Sequence, residues 1–112
     1  MSNKPYTEYW YGDNNAIKRQ IWWDNGNLHR EDGPAYIEYY EQGGVEYQAW
    51  SHHGKLHRED GPAVVEYYRN GNLKGEQWFV NGLPREDGPA EIMYNRDGSV
   101  DSWWWRKDGN LL

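Results

Sequence analysis

Three arginines, Arg30, Arg58 and Arg85, sit in a recurring string, each followed by two acids and a Gly-Pro pair. A guanidinium is a planar fork of donors that grips a phosphate or carboxylate in paired bonds, so a periodic row of them is a candidate anion clamp. The adjacent acids, Glu31, Glu59 and Glu86, neutralise much of that field. The plainer reading is a salt-bridge ladder on turns, worth little per exposed pair. Asp32, Asp60 and Asp87 raise the question of acid–base or metal chemistry. His29, His52, His53 and His57 are the only cluster suited to a metal near neutral pH. A closed zinc site wants four ligands in tight geometry, so hydrogen-bonded turn histidines are the expectation, with no metal and no cofactor. Trp103-Trp104-Trp105 is the most unusual local feature, and Trp22-Trp23 and Tyr9-Trp10-Tyr11 echo it. Successive strand residues alternate between faces, so at least one of three adjacent tryptophans stays exposed unless something covers it. Such rings form either a terminal cap or a stacking surface for a sugar, a base or a partner side chain. The serines have no nucleophile context, and no phosphate loop or dinucleotide fingerprint occurs.

These residues are positioned by an internal repeat. His29-Arg30-Glu31-Asp32-Gly33-Pro34-Ala35 recurs as His57-Arg58-Glu59-Asp60-Gly61-Pro62-Ala63 and as Pro84-Arg85-Glu86-Asp87-Gly88-Pro89-Ala90. A tryptophan precedes a turn glycine by four residues throughout: Trp22/Gly26, Trp50/Gly54, Trp78/Gly82 and Trp105/Gly109. A recurring period of this length marks a repeat array. Each unit reads as two strands. The first is Ala35–Tyr40, Ala63–Tyr68 or Ala90–Tyr94, rich in β-branched and aromatic residues. A turn at Gly43-Gly44, Asn70-Gly71 or Asp97-Gly98 follows, and then a second strand such as Leu73–Val80. A second turn comes at Asn25-Gly26, His53-Gly54, Asn81-Gly82 or Asp108-Gly109. In the first unit Thr7–Tyr11 stands for the first strand and Ala16–Trp23 for the second. The expectation is one all-β domain over 1–112, built as four antiparallel hairpins of units near 1–28, 29–56, 57–83 and 84–112. Eight strands permit either an elongated twisted sheet or a closed barrel.

The motif has a structural explanation. Asp bonds to turn amides, Gly adopts angles closed to other residues, and Pro suits a strand start. Asp32, Gly33 and Pro34, Asp60, Gly61 and Pro62, and Asp87, Gly88 and Pro89 are therefore expected to be structural, as are Trp22, Trp50, Trp78 and Trp105. Equivalent residues two strands apart lie roughly 9–10 Å from one another. That is too far for the aspartates to share a proton or an ion, so no catalytic residue is assigned. Alternation places Tyr39, Tyr67 and Tyr94 inward with Ile37, Val65 and Ile92, and turns Tyr40 and Tyr68 outward. The candidate binding residues are accordingly Trp10, Trp23, Tyr40, Tyr68, Trp103, Trp104, Arg30, Arg58 and Arg85.

The three motif copies, each with its Trp-x-x-x-Gly element, resemble the MORN-repeat variants of the His-Arg-Glu-Asp-Gly-Pro-Ala type found in bacteria, bacteriophages and large DNA viruses. Pro84 in place of histidine and the lack of a fourth motif depart from that pattern. The resemblance implies successive hairpins in an elongated sheet, and binding or scaffolding rather than catalysis. It carries no catalytic residue over.

Composition sets the remaining bounds. Leu, Ile, Val and Phe supply only 16 of 112 residues and the net charge is −6, values that favour disorder. Eight Trp and ten Tyr oppose that reading, since each large ring can bury about 150–250 Å². The core is therefore expected to be made of rings. No apolar run approaches transmembrane length, no apolar signal core follows Met1, and zero Cys fits a reducing, cytoplasmic compartment. The acidic balance disfavours nucleic acid. The expected function is non-enzymatic binding of a protein partner through an aromatic and acidic surface, in a phage-type host-interaction or defence-inhibiting role. The alternatives are a nucleotide or sugar receptor and a homo-oligomeric scaffold joined through edge strands.

Overall fold

The structure is a computed structural model that describes residues 4–107 and 110–111. It contains strands and, among the described residues, no helix. In chain order the strands are β1 (Tyr6–Tyr11), β2 (Ile17–Asp24), β3 (Asn27–Leu28), β4 (Tyr36–Tyr39) and β5 (Val45–Ala49). Then come β6 (Ser51–His52), β7 (Lys55–Leu56), β8 (Val64–Tyr67), β9 (Leu73–Gln77) and β10 (Phe79–Val80). The last are β11 (Leu83–Pro84), β12 (Glu91–Tyr94), β13 (Val100–Trp104), β14 (Arg106–Lys107) and β15 (Asn110–Leu111). The principal sheet is antiparallel and runs β1-β2-β4-β5-β8-β9-β12-β13, with β3 added to β2. β6–β7, β10–β11 and β14–β15 are separate two-stranded ribbons.

The barrel alternative is overturned. Among the described residues β1 pairs with β2 and β13 with β12, and nothing joins β1 to β13. The sheet stays open, and the molecule has extents of 44 × 34 × 19 Å. The long second strand is also corrected. Leu73–Val80 breaks at Trp78, and Phe79–Val80 leaves the sheet to pair with Leu83–Pro84. Val45–Ala49 and Ser51–His52 break the same way at Trp50. A two-residue turn follows each tryptophan by three residues, and in the first unit the same turn leaves β2 unbroken through Asp24. Asn25, His53 and Asn81 have φ of 52°, 51° and 51°, and the glycine after each is also positive, at 80°, 83° and 81°. Two consecutive positive φ values make the tight turn whose twist matches antiparallel strands, so a two-residue hairpin closes locally. The corresponding turn at Asp108-Gly109 lies outside the described residues, as do the ends of the expected first and last units.

The core departs from expectation. Among the described residues the buried apolar side chains are Ile21, Ala35, Ile37, Ala49, Ala63, Val64, Val65 and Ala90. None is aromatic. A sheet one layer thick cannot enclose a whole ring, so Trp22, Trp50, Trp78 and the tyrosines of β4, β5, β8 and β12 are half-buried over a seam of small aliphatics. Strand register defines the faces, because directly opposed residues share one. A single row crosses the sheet through Tyr9, Gln20, Ile37, Gln48, Val65, Glu76, Ile92 and Trp103.

Candidate functional site

The three arginines converge on one geometry. Arg30, Arg58 and Arg85 place the guanidinium carbon 4.0, 3.9 and 4.1 Å from the ring centroids of Trp22, Trp50 and Trp78. The Nε of Arg30 donates to Asp32 at 2.9 Å and its Nη1 to the Pro34 carbonyl at 3.2 Å. Arg58 repeats both bonds, to Asp60 at 3.2 Å and to the Pro62 carbonyl at 3.1 Å. Arg85 donates from Nε to the Pro89 carbonyl at 2.6 Å. On the side away from the ring lies a glycine. A methyl placed on Gly33, Gly61 or Gly88 would stand 3.0, 2.8 or 3.0 Å from the guanidinium carbon. These glycines have ordinary backbone angles, so the reason expected for them is corrected. A side chain at these positions would crowd the guanidinium that packs on the indole. The bond from Arg30 holds the Asp32 carboxyl below the usual carboxylate range.

The Arg-Glu-Asp-Gly-Pro string is thereby explained as a self-binding loop. A phosphate clamp would use the same donors that Arg30 and Arg58 direct to Asp32, Asp60 and the Pro34 and Pro62 carbonyls. An open groove of about 770 Å³ separates the loops of Arg30 and Arg58, lined by both arginines together with Glu31, Asp32, Glu59 and Asp60. Its acids and bases alternate, so it presents no field of a single sign.

The histidines cap turns. His29 is buried, and its Nδ1 accepts the His53 amide at 2.9 Å. His57 Nδ1 accepts the Asn81 amide at 3.0 Å in the same way. Each thus holds the left-handed residue of the next two-residue turn. His29, His52 and His53 bring ring nitrogens within 4.8 Å of one another, and Glu31 Oε1 lies 3.3 Å from His29 Nε2 and 3.6 Å from His52 Nε2. His29 is already engaged on both ring nitrogens. With Nδ1 accepting an amide, neutral His29 carries its proton on Nε2, the atom that faces Glu31, and has no free lone pair to give.

The tyrosines join neighbouring strand pairs. Tyr40 and Tyr68, expected to be outward and available, are half-buried, and their hydroxyls donate at 2.7 Å to the carbonyls of Tyr67 and Tyr94. On the other side Tyr39 donates to Gln20 at 2.7 Å, Tyr67 to Gln48 at 3.4 Å, and Tyr94 to Glu76. Burial, reinforced by the Glu76 carboxylate, raises the Tyr94 phenol to about 12. Trp23 is half-buried and donates from Nε1 to Glu8 at 2.8 Å.

What stays open are the two margins of the sheet. Trp10, Trp103 and Trp104 are 50%, 60% and 40% exposed, and Tyr6, Tyr9, Tyr11, Ile17, Val100 and Trp105 are exposed beside them. Those nine residues are all but two of the exposed large hydrophobics among the described residues; the others are Val80 and Leu83. Trp105, grouped with the structural tryptophans, thus belongs to the exposed margin. The missed signals were present in the sequence. Each motif arginine follows its tryptophan by seven or eight residues and precedes a glycine by three, which is the spacing of the sandwich. No family model, curated protein or solved structure matches this chain.

Proposed function

We propose that the chain is a non-enzymatic β-repeat binding protein, a MORN-like array of four hairpin units that docks on a protein partner through its aromatic margins. The observation that carries this reading is the confinement of nearly all exposed large apolar side chains to β1, the start of β2, β13 and Trp105 just after it. Clusters of exposed apolar side chains, one at each margin, mark interaction sites. The groups that look chemical elsewhere support it too, since the arginines, histidines and tyrosines bind their own neighbours. The resemblance of the motif copies to phage-encoded repeat proteins extends the proposal to a host-interaction or defence-inhibiting role in the host cytoplasm. The test is capture from bacterial lysate on the immobilised chain, with Trp10→Ser and Trp103→Ser as paired baits. A partner held in stoichiometric amount and lost with either substitution is expected. No stoichiometric partner, or one indifferent to both substitutions, overturns the reading.

A further inference from the structure

We infer that the occupant of these margins is a second copy of this chain, added head to tail so that β13 of one copy pairs with β1 of the next. This rests on the binding role of the margins proposed above and names the partner.

The two edges are complementary by the chain's own construction. In the interior a second strand pairs with the following first strand in a constant register. Gln20 faces Ile37, Gln48 faces Val65 and Glu76 faces Ile92. Within each hairpin Tyr9, Ile37, Val65 and Ile92 face Gln20, Gln48, Glu76 and Trp103. Trp103 is therefore the fourth member of the Gln20 series, and Tyr9 the first member of the Ile37 series. Bringing β1 of another copy to β13 in the interior register sets Tyr9 opposite Trp103, Glu8 opposite Trp104 and Trp10 opposite Ser102. Strand direction agrees, because alternation along the path makes β13 antiparallel to an incoming β1.

Residue type at the margins separates this arrangement from a solvent-facing end. Natural edge strands are protected by charges, Lys or Pro. Here the substitution runs the other way. Where the interior has Gln20, Gln48 and Glu76, the edge has Trp103. Where it has Glu38, Glu66 and Met93, the edge has Trp10. In the interior a tyrosine two residues beyond the Ile37-type position donates to the residue of the Gln20 series. Its equivalent in β1 is Tyr11, 61% exposed, which in the assembly lies over the Trp103 indole rather than over an amide. Aromatic against aromatic suits that exchange, with centroids favoured at about 4.5–7 Å. The contact joins two different surfaces, so each copy keeps one edge of each kind open.

The experiment uses the full chain, wild type and two charge variants, Tyr9→Lys and Trp103→Lys, with circular dichroism confirming that each folds. Sedimentation velocity across a concentration series is expected to show the wild type growing beyond a dimer. Each variant alone is expected to remain monomeric, with self-association weakened at least about tenfold. Their equimolar mixture is expected to stop at a heterodimer, because one chain supplies an intact β13 and the other an intact β1. A monomeric wild type overturns the inference. So does a variant that self-associates as strongly as the wild type, since the altered edge then takes no part in the contact. A monomeric wild type that still captures a foreign protein in a Trp103-dependent way overturns the second copy and leaves the binding role standing.

Discussion

Replacing Gly61 with alanine tests the guanidinium sandwich. The new methyl would stand 2.8 Å from Arg58 Cζ and 3.1 Å from both Nε and Nη1, where ordinary contact is about 3.5–4.0 Å. The cation must therefore move by most of an ångström. It cannot move toward Trp50, whose ring centroid is already 3.9 Å away. It must slide out, giving up the stack and the Pro62 carbonyl bond. A partly exposed cation–π contact contributes about 0.5–1 kcal/mol and a charged hydrogen bond about 1.5–3 kcal/mol. Compensation by water reduces the sum, so Gly61→Ala is expected to cost about 1–3 kcal/mol, or roughly 4 °C of Tm per kcal/mol in a domain of this size. The diagnostic step is the same substitution in an Arg58→Ala background. With the side chain gone the three nearest atoms to the methyl are removed, and the φ of Gly61, outside the left-handed region, lets alanine stabilise through the unfolded state by about 0.4–1 kcal/mol. The substitution thus changes sign between backgrounds. Urea unfolding followed by tryptophan fluorescence measures all four corners of the cycle. Gly71→Ala is the control. It has open space but a φ of 89°, so its strain is expected to be independent of Arg58. Equal cost of Gly61→Ala in both backgrounds would refute the sandwich.

Tyr94 is expected to ionise near 12 in an alkaline titration of tyrosinate absorbance, and that transition is expected to vanish in Tyr94→Phe. Because the folded state favours the neutral phenol, its contribution to stability is complete below the unfolded value of about 10 and is lost as pH rises through about 12. Glu76→Gln is expected to bring the transition down, since the carboxylate is one of the two causes. Tyr40→Phe and Tyr68→Phe each remove one hydroxyl bonded to a backbone carbonyl while keeping the ring, and each is expected to cost about 0.5–1.5 kcal/mol by urea unfolding. Unchanged stability in both would show that these hydroxyls do not join the strand pairs.

Strand positions were legible because their patterning is local. The first strands at Tyr36–Tyr39, Val64–Tyr67 and Glu91–Tyr94 fall where β-branched and aromatic residues cluster before a glycine turn. The break at Trp78 was not legible, since Leu73–Val80 reads as one run and the equivalent Ile17–Asp24, before the same kind of turn, does not break. The roles of Gly33, Gly61 and Gly88 were misassigned for a related reason. Sequence shows a glycine, but freedom of angle and need for space look alike until a neighbour is placed beside it. Candidate residues divided along the same line. Trp10, Trp103 and Trp104 are exposed because, among the described residues, strand order leaves β1 and β13 paired on one side alone. Tyr40 and Tyr68 were expected to be outward from alternation alone. Alternation is silent about a carbonyl 26 or 27 residues away, and that carbonyl decides where the hydroxyl goes.

The arginine, histidine and tyrosine contacts follow from a problem set by the thin sheet. Little fully buried apolar surface is available where each face is covered by half-buried rings, so strand pairs need another means of holding neighbours in register. Polar side chains that cross between pairs supply it: Tyr40 to the Tyr67 carbonyl, His29 to the His53 amide, and Asn72 to the Arg96 carbonyl at 2.8 Å. A group engaged in that way is directional and satisfied, so it adds specificity of stacking without adding stickiness. The margins lack a neighbour to satisfy such groups. Retaining Gln or Glu there would have made a well-hydrated, inert end. Trp10 and Trp103 in those places instead leave large apolar side chains exposed at both edges of the sheet.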